Sequence, residues 1–127
     1  MELPDYFEEK TGIGVLATAD AEGKVNAALY ARPHFSAEGS AVFIMGDGLT
    51  HRNLQSNPHA AYIFIESGPG YQGKRLYLTR EREEEDPDLI DGLRRRSRGT
   101  CIESKHSAHY VGYFHVDRVL PLVGTAE

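Results

Sequence analysis

The stretch I-G-V-L-A-T-A-D-A-E-G-K-V-N-A-A-L-Y-A-R, residues 13–32, decides the fold class. Two runs of small and apolar residues, 13–19 and 25–32, flank the polar break D-A-E-G-K at 20–24. Strand-like runs joined by a short loop containing glycine read as a β-hairpin. The fold is therefore expected to start from antiparallel sheet.

Outward from that hairpin the same punctuation repeats. Residues 41–46 (A-V-F-I-M-G), 60–66 and 75–82 (R-L-Y-L-T-R-E-R) read as further strands, and 110–117 with 119–123 as a last long one. Residues 50–56 (T-H-R-N-L-Q-S) are too long for a tight turn and too polar for a core strand, so they predict a short helix. It should stop at Asn57, because a residue preceding proline avoids the helical region. Asp86-Pro87 opens a second helix, with Asp86 as N-cap and proline at the first helical position. Leu89, Ile90 and Leu93 form its apolar face, and Arg94, Arg95 and Arg96 sit where the helix dipole favours cations. The sum is a mainly β protein with a few short helices. It is expected to form a six-stranded antiparallel split β-barrel, Greek-key-like, as one domain over residues 1–127.

Composition bounds the function. Fourteen basic against 19 acidic residues give a net charge of −5, which argues against nucleic acid as a partner. One cysteine, Cys101, permits no intrachain disulfide and fits a reducing compartment. The first residues carry no apolar leader and no run is long enough to span a bilayer, so a cytoplasmic protein without membrane contact is expected.

Three segments together, residues 14–25 (G-V-L-A-T-A-D-A-E-G-K-V), 41–45 (A-V-F-I-M) and 50–62 (T-H-R-N-L-Q-S-N-P-H-A-A-Y), resemble the pyridoxamine 5′-phosphate oxidase-like family of FMN-binding split barrels. The N-L-x-x-N-P part is the most specific, and the likeness covers about two-thirds of the chain in element order. The resemblance implies a homodimer with FMN in a groove at the subunit interface. It places Leu29, Tyr30, Ala31 and Arg32 on the second strand against the cofactor, with Met45 at the end of the third. Thr50, His51, Arg52 and Asn53 fall on the short helix, and Lys74 where members reach the partner's flavin. The family's usual arginine and lysine are Ala28 and Thr50 here, so Arg32, His51, Arg52, the Thr50 hydroxyl and the first helix amides are the candidates to hold the phosphate. The implied activity is oxidoreduction with a small-molecule electron donor or acceptor, the flavin carrying the chemistry. The alternative is a non-catalytic flavin- or haem-binding module on the same barrel. The C-terminal tryptophan–arginine pattern of pyridoxamine phosphate oxidation is missing, and the chain has no tryptophan.

Other constellations read as scaffold or remain open. The loop S-G-P-G-Y-Q-G at 67–73 lacks the G-K-[ST] ending of a P-loop; it is either a mobile border of an active site or a plain hairpin connection. Tyr110, Tyr113 and His115 on the last strand are expected near substrate on the partner's flavin. Cys101, His106, His109 and His115 match no zinc-module spacing, so no metal is expected there. The acidic run 81–86 reads as a solvated surface.

Overall fold

The computed structural model describes residues 2–96 and 110–124. Seven strands make one antiparallel sheet: β1 (Gly12–Ala19), β2 (Val25–Leu29), β3 (His34–Phe35), β4 (Ala41–Met45), β5 (His59–Glu66), β6 (Gly73–Glu84) and β7 (Tyr110–Pro121). Three helices accompany them among the described residues: α1 (Leu3–Glu9), α2 (Leu49–Ser56) and α3 (Pro87–Arg96). The strand order is β2-β1-β5-β6-β7-β4-β3.

The sheet curls around its own core. Phe43 of β4 and Tyr62 of β5 belong to strands that are not neighbours, yet their ring centroids lie 5.0 Å apart. Phe43 also meets Phe114 edge-on at 5.6 Å, and Phe7 of α1 meets Phe64 at 5.2 Å. Leu16, Tyr62, Phe64, Leu76 and Leu78 alternate into this core along β1, β5 and β6. Each such side chain removed from water contributes about 1.5–3 kcal/mol. Gly14 permits a close crossing. The Tyr62 hydroxyl donates to the Tyr30 carbonyl over it, and a Cβ at that position would sit 1.9 Å from the Tyr62 oxygen.

Two expectations are corrected. The sheet has seven strands and open ends rather than six in a closed barrel, because β2 and β3 pair on one side only. The second strand stops at Leu29 instead of 32: Arg32 turns its guanidinium to α1, and Pro33 has no N–H to give a ladder. The chain then forms the two-residue β3 against β4. Helix α1 was not foreseen. Its sequence is short and acidic, but Tyr6 and Phe7 are buried, and Arg32 Nη1 donates to the Phe7 and Lys10 carbonyls at its C-terminal end.

Helices α2 and α3 follow their sequence signals. The Asn57 N–H closes α2 on the Asn53 carbonyl, immediately before Pro58. Asp86 Oδ1 accepts from the amides of Asp88 and Leu89, as an N-cap must. Ile90 and Leu93 pack with Val42, Val111 and Tyr113 in a second cluster separate from the main core.

Candidate functional site

Helix α2 is docked mainly by polar contacts. Its only large core residue is Leu54. Thr50 and Asn53 are also buried: Asn53 Nδ2 donates to Thr18 Oγ1 at 3.1 Å, and Asn26 Nδ2 to Thr50 Oγ1 at 3.4 Å. The Tyr30 hydroxyl also bonds Thr50. Burial raises the Tyr30 pKa, and that hydrogen bond opposes the rise. Asn26, Tyr30 and Thr50 thus converge where α2 begins. The N-cap is Gly48, which gives the first amides of the helix no side-chain cap.

The other side of α2 is held by an ionic network. His51 Nε2 lies 2.8 Å from Glu83 Oε1, and its ring stacks on Tyr110 at 3.8 Å and 6°. Gln55 Nε2 and Arg80 Nη1 both donate to Glu83 Oε2. Arg80 Nε is the one buried side-chain polar atom without a partner among the described residues. Glu83 was read from sequence as solvated. It is instead mostly buried, because β6 extends through Glu84 and turns it toward α2. The all-polar run 79–84 carried no alternation that signalled it.

The residues expected around the cofactor fall into separate groups. Tyr30, Thr50 and Asn53 lie at the junction of β1, β2 and α2. Arg52 is exposed on α2, with no side-chain partner among the described residues. Arg32 serves α1 beside a hollow of about 170 Å³ between that helix and residues 32–35. Met45 is in the core and His51 faces Glu83. Lys74 stands 4.7 Å above the Tyr6 ring, and Tyr6 donates to Glu66. Leu29 is exposed and Ala31 half-buried. The expected phosphate set is therefore divided: Thr50 and Arg52 share α2, while Arg32 and His51 have scaffold partners.

Cys101, His106 and His109 lie outside the described residues. Among the described residues, no three His, Cys, Asp or Glu side chains converge as a metal site. No helix among them is long and apolar enough to cross a membrane.

The outer face of β2, β1, β5 and β6 carries an apolar surface. Ile13, Leu29, Ile63, Ile65 and Tyr77 are exposed, and Val25 reaches 82%. Register places Val15 between Leu29 and Ile63, and Ala17 between Ala27 and Ala61. Small residues thus occupy the middle of the patch, with larger ones around them.

With curl, strand order and helix positions in view, the chain has the fold of the pyridoxamine 5′-phosphate oxidase-like split barrels. Among solved structures it is similar to an FMN-binding protein from Syntrophomonas wolfei subsp. wolfei, at a TM-score of 0.77 and 15% identity. That likeness covers 95% of this chain and 84% of the other. A protein from Lactobacillus delbrueckii, provisionally assigned as a pyridoxamine 5′-phosphate oxidase, matches at 0.66 and 16% identity, covering 94% and 92% of the two chains. HutZ, the haem storage protein of Vibrio cholerae, matches at 0.68 and 18% identity, covering 95% of each. No protein-family model matches the sequence, and no curated protein matches it.

Proposed function

We propose that the protein is an FMN-binding flavoprotein that acts as an oxidoreductase on a small molecule, in a groove completed by a second copy of the chain. The observation that carries this reading is the N-terminal turn of α2. Its first amides have no side-chain cap, the Thr50 hydroxyl is beside them, and Arg52 is an exposed cation on the same helix. Uncapped amides at the positive end of a helix dipole suit a phosphate. The residues present fit that group without the arginine of the second strand. The fold likeness to an FMN-binding protein supports the same reading.

In this arrangement Arg52 and the α2 amides bind the phosphate. Tyr30 and Asn26 orient Thr50, and the exposed Leu29 and half-buried Ala31 give the ring an apolar border. The flavin, when bound, supplies two-electron redox chemistry. The apolar outer sheet face is the proposed contact between copies, since an exposed patch of this kind marks an association surface.

The first test is the visible spectrum of freshly purified protein, with mass spectrometry of whatever denaturation releases. FMN supports the reading; haem, which the similar HutZ is described as storing, replaces it. For turnover, anaerobic mixing with NADH or NADPH should bleach bound flavin faster than free FMN. Equal rates would leave a flavin-binding module without reductase activity.

A further inference from the structure

The hollow of about 170 Å³ between α1 and residues 32–35 is lined by Phe7, Glu8, Arg32, Pro33 and Phe35 among others. An apolar cavity of roughly 150 Å³ is enough to hold a benzene ring. Phe7 and Phe35 stack with centroids 6.1 Å apart and rings 24° from parallel, so the hollow has an aromatic wall. None of its lining residues lies on α2 or β2, which separates it from the end of α2 proposed to hold phosphate.

Two charges of opposite sign border the hollow, and neither is paired. Arg32 is half-buried, and its Nη1 donates to the Phe7 and Lys10 carbonyls. Those two bonds cap the end of α1 and tether the guanidinium. Its Nε and Nη2 have no hydrogen-bond partner, and the cation has no carboxylate partner, among the described residues. A guanidinium carries five donors in a rigid fork, so the cap leaves most of them unused. Glu8 is the converse case. It lies in the last turn of α1, where the helix dipole disfavours a carboxylate. It is exposed, and no partner among the described residues offsets that cost. Neither the cap nor helix stability accounts for a free carboxylate and a tethered guanidinium at one hollow.

We propose that this hollow binds a small zwitterion, an α-amino acid with an apolar side chain. Its carboxylate pairs with the unused edge of the Arg32 guanidinium, the bidentate geometry in which such pairs are strongest. Its ammonium pairs with Glu8, and its side chain packs against Phe7 and Phe35. A simple anion would meet the Glu8 charge and a simple cation the Arg32 charge. Only a ligand carrying both signs satisfies both. The site is independent of the flavin reading.

The test is calorimetry on the full chain with L-phenylalanine, set against hydrocinnamate, which lacks the ammonium, and phenethylamine, which lacks the carboxylate. One saturable equivalent of phenylalanine per chain is expected, bound tenfold or more tighter than either comparator. Arg32→Lys keeps the charge but loses the fork, and should weaken phenylalanine tenfold or more. Circular dichroism checks that this variant folds. Glu8→Gln changes an exposed side chain, so the fold is not at stake, and it should erase the preference for phenylalanine over hydrocinnamate. Saturating FMN should leave phenylalanine binding unchanged. Absence of saturable binding overturns the proposal, as does equal affinity for hydrocinnamate in the unaltered chain. A preference that survives Glu8→Gln, affinity that survives Arg32→Lys, or displacement of phenylalanine by FMN overturns it too.

Discussion

At the residue scale, chemical type and role separate most clearly for the two arginines near the proposed site. Arg32 and Arg52 are equally suited to phosphate on paper, but Arg32 is already bonded to two carbonyls at the end of α1. Arg32→Ala should therefore lower stability in urea by about 1–3 kcal/mol and leave FMN affinity nearly intact. Arg52→Ala should do the reverse, weakening FMN about tenfold or more in calorimetry. The opposite pattern would move the phosphate to α1. Gly14 supplies a second residue-scale prediction. Gly14→Ala should cost about 1–3 kcal/mol by overpacking against the Tyr62 hydroxyl and Tyr30 carbonyl. In a Tyr62→Phe background the same change should cost less, so a double-mutant cycle should show coupling.

At the element scale, α2 matters most, because the proposed site hangs on its orientation. Its ends were legible locally: an N-P step stops it, and the polar pattern forbids a core strand. Its partners were not, since Glu83 and Tyr110 lie at least 32 positions from His51 in sequence. Breaking a mostly buried ion pair leaves its other members without a partner. Glu83→Ala should thus destabilise the fold by at least ~2 kcal/mol, seen as a lower urea midpoint. It should also weaken FMN binding, although Glu83 carries the wrong charge to touch a phosphate. If FMN affinity rises instead, Glu83 acts through repulsion and not through the position of α2.

At the scale of the whole molecule, the sheet offers one face to a core and another to solvent. Ile63→Glu on the outer face should shift sedimentation toward monomer if two copies meet there, and an unchanged dimer would place the contact elsewhere. Alkaline pH reports on the other face. Burial, then the Glu66 hydrogen bond, raises the Tyr6 pKa, and burial raises that of Tyr62 against the opposing Arg32 charge. A raised pKa in the folded state stabilises below the unfolded value of about 10. That contribution is lost as pH climbs through the folded value. Tyrosinate absorbance should therefore show a late step, with Tyr6 and Tyr62 ionising only as the fold opens. A single smooth transition for all tyrosines would contradict this. The sequence alone determined the hairpins, α2, α3 and the antiparallel character of the sheet. Those follow from period-two patterning, glycine turns and proline stops, which act over a few residues. Only the tertiary structure decided that β2 ends at Leu29, that α1 exists, and which polar side chains pair. Arg32 meets α1 across 22 and 25 positions, His51 meets Glu83 across 32, and Thr79 meets Asp117 across 38. Such pairings depend on how the curled sheet brings distant strands together, and no local rule encodes them.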